Sequence, residues 1–285
     1  MKNLIIGARG MVGSALAKQL PDALLGVSLE PTEKNQFYID ITKYETLFNV
    51  FSEHRPDVVY LPAAITDVDK CEDFGTNHVN VAGSIKVLRL CEMFESKLVF
   101  FSSSYIFDGK SPTPYKITDE PAPLNNYGIQ KCTVERMILK SDAKYVILRT
   151  VGVYGEERMK KNFAKAVIAG IFAGRKVYVP KDQFVNPILS NELSKIAIRL
   201  ADKEQGLFHV AGDTCISKSD WAKKIAKYFG LEKLIIPLSS DEMKQQKATR
   251  PKMGCLECIG LEALDIKVPS FEEGMLNFLT LEYNG

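Results

Sequence analysis

No apolar run in the sequence approaches the roughly 20 residues that a membrane-spanning helix requires. The longest, such as Lys97–Phe101 and Tyr145–Leu148, are the size of strands, so no bilayer-crossing segment is expected. Charge of one sign is not in excess either: 37 Lys and Arg face 35 Asp and Glu. No strong overall field therefore draws nucleic acid or an anionic membrane, and a charged ligand must be met locally. Histidine is scarce, and His54, His78 and His209 all lie far along the chain from Cys255 and Cys258, the one C-x-x-C. A zinc site would bring a second ligand pair or nearby histidines, so no metal is expected. The six cysteines are otherwise scattered, which suits small buried hydrophobes in a reducing compartment. Met1-Lys2-Asn3 runs straight into Leu4-Ile5-Ile6-Gly7 with no small-residue cleavage site behind it. It reads as a first strand rather than a secretory leader, and a cytoplasmic address is expected. Neither an internal repeat nor a low-complexity stretch is present.

An apolar fraction of 46% over 285 residues is ample for a substantial core. In the first half, short apolar runs (Leu4–Ile6, Leu24–Val27, Gln36–Ile39, Val58–Leu61, Leu98–Ser102, Tyr145–Arg149) alternate with stretches of helical spacing (Val12–Leu20, Lys43–Glu53, Thr76–Phe94, Tyr127–Leu139). That alternation predicts an α/β fold: a Rossmann-type, doubly wound parallel sheet over residues 1–155. Residues 111–126 carry four prolines and read as a loop feeding a helix. Beyond about residue 155 the alternation weakens. Helices at Asn162–Phe172, Asn191–Ala201 and Lys218–Phe229, with strand-like pieces at Lys176–Val179 and Leu207–Ala211, suggest a smaller substrate-covering lobe over 156–285, with segments free to return to the first domain.

Gly7-Ala8-Arg9-Gly10-Met11-Val12-Gly13 follows the first strand and opens a helix, the context that a phosphate-binding glycine loop requires. Glycine allows the tight turn and the close backbone approach, and the helix N-terminus offers unpaired N–H groups to a pyrophosphate. Gly7, Arg9, Gly10, Met11 and Val12 are thus expected to hold a dinucleotide, NADP(H) or NAD(H). The position some 20 residues further on, where an acidic group would bind a ribose 2′-hydroxyl, falls near Val27-Ser28, although Glu30 is within reach. Arg9 could instead pair with a 2′-phosphate, which tilts the expectation slightly to NADP.

Tyr127-Gly128-Ile129-Gln130-Lys131 is a Y-x-x-x-K at a predicted helix start, so Tyr127 and Lys131 share one face. An ammonium beside a phenol is expected to pull its pKa below the usual value of about 10, which suits proton exchange near neutrality. Lysine can also hold the nicotinamide ribose. The strand Lys97–Phe101 runs into Ser102-Ser103-Ser104 at the carboxyl edge of the expected sheet, where such folds bind ligands and where a serine hydroxyl can orient a substrate oxygen.

Taken together, the glycine loop, Ser103 and the Tyr127/Lys131 pair resemble the extended short-chain dehydrogenase/reductase superfamily, and the finer text resembles the dTDP-4-dehydrorhamnose reductase family over most of the chain. Pro56-Asp57-Val58-Val59 with Ala63–Lys70 is similar to that family's fourth strand and T-x-V-D-K segment. Ser102–Gly109 resembles its S-T-D-Y-V-F-D-G, and Pro123–Gly128 with Lys131 its P-L-N-x-Y-G-x-x-K. Leu148-Arg149-Thr150, Val153-Tyr154-Gly155, Asp182-Gln183-Phe184 with Pro187, and Arg250-Pro251 follow in the family's order. The resemblance implies hydride transfer to a nucleotide-linked 4-keto sugar with Tyr127 as proton donor. It also implies Asp40 and Ile41 at the adenine end, Ala63 and Ala64 along the cofactor, Asn80 on the following helix, Ser104 and Arg250 toward the substrate, and homodimers of the kind common in the superfamily.

Several family positions differ here: Leu61, Ile65 and Ser104 replace asparagine, tyrosine and aspartate, and Met253 and Gly254 replace the polar residues after Arg-Pro. These changes are expected around the substrate rather than the cofactor. Two other readings stand beside the reductase. One is an epimerase or dehydratase of the same superfamily, although a dehydratase usually adds an acidic pair beside the active-site hydroxyl. The other is a non-catalytic regulatory subunit like the one attached to methionine adenosyltransferase, against which the retained Tyr127 and Lys131 weigh.

Overall fold

The computed structural model describes residues 1–156, 162–243 and 247–283. Strands β1 (Asn3–Ile6), β2 (Leu24–Val27), β3 (Gln36–Tyr38), β4 (Val58–Leu61), β5 (Lys97–Ser103) and β6 (Tyr145–Thr150) alternate with helices α1 (Met11–Gln19), α2 (Tyr44–His54), α3 (Ser84–Met93) and α4 (Asn126–Leu139). β4 is buried at every residue, and β5 and β6 at all but their first. Such continuous burial is what helices on both faces of a parallel sheet produce.

The second half begins with β7 (Val153–Tyr154), α5 (Phe163–Phe172), β8 (Val177–Pro180), β9 (Phe184–Val185) and β10 (Ile188–Leu189). It continues through α6 (Ser190–Lys203), β11 (Gly206–His209), β12 (Ile216–Ser217), α7 (Lys218–Tyr228), β13 (Ile235–Leu238) and α8 (Phe271–Tyr283). All seven strands of the main sheet are parallel, in the order β11-β6-β5-β4-β1-β2-β3. The order reverses between β1 and β4, and the crevice outside the carboxyl ends of two such strands is where open α/β sheets bind ligands. β11 extends this sheet and α6 packs beside α1, so both belong to the large sheet's layers. Among the described residues the remaining strands form three two-stranded pairs, β7 with β10, β8 with β13 and β9 with β12, around a core of Trp221, Tyr154, Phe271 and Phe278.

Two expectations need correcting. The single helix predicted over Thr76–Phe94 opens instead with a wide π turn at His78–Gly83 before α3. The periodicity of apolar residues does not register a turn widened around a bonded polar side chain, here Asn80. The reading of all six cysteines as reduced hydrophobes also fails, because Cys215 and Cys255 form a disulfide with Cα atoms 5.8 Å apart. β9 pairs with β12 on one side and bridges to Met253 through Phe184, so two chain segments far apart in sequence are drawn to the same place. Cys71, Cys91, Cys132 and Cys258 are free. The cysteine argument for a reducing compartment is thereby lost. Among the described residues, no helix is long and apolar enough to cross a membrane, and no group of His, Cys, Asp and Glu is disposed to hold a metal ion.

Candidate active site

β1 ends at Ile6 and the chain turns at Gly7, whose φ of +96° is a left-handed conformation that glycine adopts without strain. A Cβ on Gly7 would stand 2.9 Å from the Ala63 backbone, and one on Gly13 only 2.1 Å from the Gly7 carbonyl oxygen. Glycine at both places therefore lets α1, the turn after β1 and the turn after β4 close on one another. Gly10 caps α1 with no side-chain hydrogen bond, which leaves the first helical amides, around Met11 and Val12, available to an anion.

Arg9 is pinned to the β2–β3 connection, where its guanidinium donates to the Glu30 carbonyl at 2.9 Å and to Gln36 Oε1 at 3.0 Å. It flanks a groove of about 660 Å³ that Ala8, Val27, Thr32 and Gln36 also line. Asp40 spends its carboxylate on its own turn, accepting from the Thr42 amide at 2.9 Å and the Thr42 hydroxyl at 2.7 Å; these bonds hold its pKa below the usual carboxylate range. Ile41 is buried against Gly83, where a Cβ would meet it at 2.7 Å.

On the other side of the crevice, α4 is capped twice. The Asn125 side chain accepts from the Gly128 amide at 2.9 Å, and the Glu72 carboxylate accepts from the Asn126 amide at 3.0 Å, a favourable place for a negative charge. Gly128 has no room for a side chain, since its Cβ would stand 2.1 Å from the Tyr105 carbonyl oxygen. That close approach seats Tyr127, 8% exposed, edge-on against Tyr105 with ring centroids 5.7 Å apart. Lys131, 6% exposed, donates to the Phe101 carbonyl of β5 at 2.7 Å, and its Nζ lies 5.9 Å from the Tyr127 ring centre.

The electrostatics run opposite to the expectation for the phenol. Burial pushes the Tyr127 pKa above its ordinary value, with the Ser103 hydroxyl acting the other way through a hydrogen bond. Burial likewise pulls Lys131 down to about 8, against the attraction of Glu135. The reason is positional: the ammonium is turned to the Phe101 carbonyl and the low-dielectric surroundings penalise both charged forms.

Not all the expected site residues come together. Ser103, Tyr127 and Lys131 do, at the carboxyl end of β5, and Ala63 meets Gly7 in the turns that follow the adjoining β4 and β1. Ala64 follows, half-buried, in the same turn. Ser104 does not join them: it is 0% exposed, its hydroxyl has no partner, and Gly254 lies over it with a Cβ position 3.5 Å from Ser104 Oγ. Its hydroxyl is thereby covered by the segment around Gly254. Leu61 is also buried, in the sheet core beside Leu4 and Ile6 rather than at the substrate. Arg250, 12% exposed at its side chain, is held by Asp69 at 2.8 Å, and the same carboxylate oxygen accepts the Lys247 and Ala248 amides. Glu72 and Gln130 were not singled out from the sequence, and Asp69 and Gly128 were read only as letters of the family motifs, because their partners are distant in the chain or depend on backbone approach.

The family model described as the RmlD substrate binding domain matches residues 1–283. A probable low-salt glycan biosynthesis reductase of Haloferax volcanii is 30% identical over 96% of both chains. A dTDP-4-dehydrorhamnose reductase of Aggregatibacter actinomycetemcomitans is 29% identical over 96% of this chain and 97% of its own. The crystal structure of the Bacillus anthracis dTDP-4-dehydrorhamnose reductase in complex with NADP is similar at a TM-score of 0.88 and 29% identity, covering 99% of this chain and 100% of that one.

Proposed function

The chain belongs to the RmlD substrate binding domain family, and from that premise we propose that it is a nicotinamide-dependent oxidoreductase that reduces a nucleotide-linked 4-keto-6-deoxy sugar. NADPH is the favoured donor over NADH, because Arg9 stands at the β2–β3 connection and Val27-Ser28 offers no carboxylate to a ribose 2′-hydroxyl. The residues present fit such a cofactor. Side chains at Gly7 and Gly13 would fill the turn that must admit its diphosphate, and α1 begins uncapped.

When bound, the cofactor supplies a hydride to the keto carbon. Tyr127 then gives its phenolic proton to the oxygen on which negative charge develops, so the alcohol forms with two electrons and two hydrogens accounted for. A phenol pKa raised by burial keeps that proton in place at neutral pH. Ser103 orients the same oxygen by hydrogen bonding, and Lys131 stabilises the phenolate left behind. The single observation carrying this reading is the convergence of Ser103, Tyr127 and Lys131 at the carboxyl end of β5 beside a turn only glycine can make. An acidic partner for the active-site hydroxyl, which a dehydratase needs, is absent from the neighbouring position, where buried Ser104 stands.

The test follows NADPH absorbance with a dTDP-linked 4-keto-6-deoxyhexose. Oxidation of NADPH with formation of the 4-hydroxy sugar is expected. A folded, cofactor-loaded enzyme that leaves NADPH untouched across a panel of such sugars would reject the reading.

A further inference from the structure

Between the two members of the Y-x-x-x-K stands Gln130, 3% exposed, whose side-chain amide is saturated with hydrogen bonds. Its Oε1 accepts from Asn80 Nδ2 at 2.6 Å, and its Nε2 donates to Thr76 Oγ1 at 2.8 Å and to Asn77 Oδ1 at 3.0 Å. Asn80, also 3% exposed, is used as fully: Oδ1 accepts the Ile65 amide at 2.8 Å, while Nδ2 donates to the Ile65 carbonyl at 2.9 Å as well as to Gln130. An amide N–H can only donate, so Asn80 must turn its oxygen to Ile65 and its nitrogen to Gln130. That in turn sets Gln130 with its oxygen toward Asn80 and its nitrogen toward Thr76 and Asn77. Flipping either amide would oppose two donors or two acceptors in a buried place, which low dielectric makes costly.

The two ends of this relay lie on opposite walls of the candidate site. Ile65 closes the turn that begins with Ala63, whose amide donates to the Ile6 carbonyl at 3.0 Å and whose backbone abuts Gly7. Gln130 sits on α4, next to Lys131 and one turn from Tyr127. The other ties of α4 described above lead elsewhere, from Asn126 to Glu72 and from Lys131 to Phe101.

We infer that Gln130 is a positioning residue: through Asn80 it holds the helix that carries Tyr127 and Lys131 in register with the cofactor-facing turn Ala63–Ile65. The inference deepens the reductase reading and rests on it for its kinetic consequence. A helix freed from that turn presents the phenol off line to the reacting oxygen, and misplacement on the ångström scale is enough to slow a reaction severely.

Three substitutions and two readouts test this in the full-length enzyme. Gln130→Met keeps the length and removes the donors and the acceptor. It is expected to lower kcat on the order of 10- to 100-fold at a temperature where the protein is fully folded, with the KM for the sugar little changed. Gln130→Asn, one methylene shorter, is expected to lie between wild type and Gln130→Met. Gln130→Glu sets a carboxylate oxygen against Asn77 Oδ1, so its activity is expected to recover as pH falls and the carboxyl regains a proton to donate, with no such acid recovery expected of the wild type. Hydrogen exchange at the Ile65 amide, expected to speed up in Gln130→Met, reads the relay without any turnover. Wild type inactive on every 4-keto sugar, together with faster Ile65 exchange in the variant, would sink the substrate reading and leave the relay standing. Unchanged kcat and unchanged exchange in folded Gln130→Met, or a Gln130→Glu pH profile parallel to wild type, would overturn the assignment of Gln130.

Discussion

The cofactor edge and the strap formed by residues 247–258 are built by different means. At the cofactor edge the parts are short in sequence, a glycine turn between β1 and α1, a helix cap at Asn125 and two side chains one helical turn apart, and ties such as Gly7 to Ala63 and Gln130 to Asn80 bring them together. The strap is held by partners from the far end of the chain. Arg250 pairs with Asp69 across 181 residues, Lys247 with Asp73 across 174, and Cys255 with Cys215 across 40. Backbone bridges add Met253 to Phe184 and Leu256 to Tyr115. The motif residues of the candidate site are thus close together in the chain, whereas residues 247–258 hang on long-range ties that a few substitutions can re-route. Ser104 shows this: the strap passes over it at Gly254, so a position expected to face the substrate is enclosed.

If this contrast is real, perturbing the cofactor edge should damage the chemical step, and perturbing the strap should damage stability or substrate affinity. The largest effect is expected for Tyr127→Phe, which should lower turnover on the order of 10² or more while NADPH affinity, read by fluorescence titration, stays near wild type. Equal turnover would remove Tyr127 from the reaction. Next comes Cys215→Ser, which should lower unfolding free energy by about 2 kcal/mol in denaturant titrations, the lower end for a native disulfide; the loss should be matched by adding a dithiol to wild type. Arg250→Ala should raise the KM for the nucleotide sugar roughly tenfold and leave cofactor affinity unchanged. A parallel loss of NADPH binding would merge the two regions that the comparison separates.

The smallest effect concerns the seat of the strap. His209 is buried and takes the Glu257 carbonyl at 3.2 Å through Nδ1, with Arg149 3.5 Å from Nε2; burial and that cation lower its pKa to about 4. The ring therefore stays neutral when folded, while in the unfolded chain it takes up a proton below its ordinary value of 6.5. Stability is complete well above that value and is lost as pH falls toward the folded one, by about 1.6 kcal/mol between pH 6.5 and pH 5. His209→Gln should flatten that slope in thermal melts across the same range, without altering turnover at neutral pH.

How much of the site could be seen in the chain follows the same division. The glycine turn, Ser103 and the Tyr127/Lys131 pair were all legible, because strand-to-helix transitions and i, i+4 spacing are local quantities that residue order carries directly. The direction of the Tyr127 pKa shift was not: the sequence places an ammonium four residues away, but burial, which outweighs it, is a property of the packed molecule. Nor could Gln130 be distinguished from its neighbours in Tyr127–Lys131, since its partners Asn80 and Thr76 stand 50 and 54 residues away.

Residue order alone settled the parallel sheet, its crossovers and the place where α1 and α4 begin, since apolar period, proline and glycine act over a few residues at a time. Tertiary packing decided which side chains share a low-dielectric crevice, which hydroxyl is covered, and which two cysteines meet. Those outcomes depend on solvent exclusion and on the approach of segments distant in the chain, 40 residues apart for the two cysteines, and neither is written in any short stretch of it.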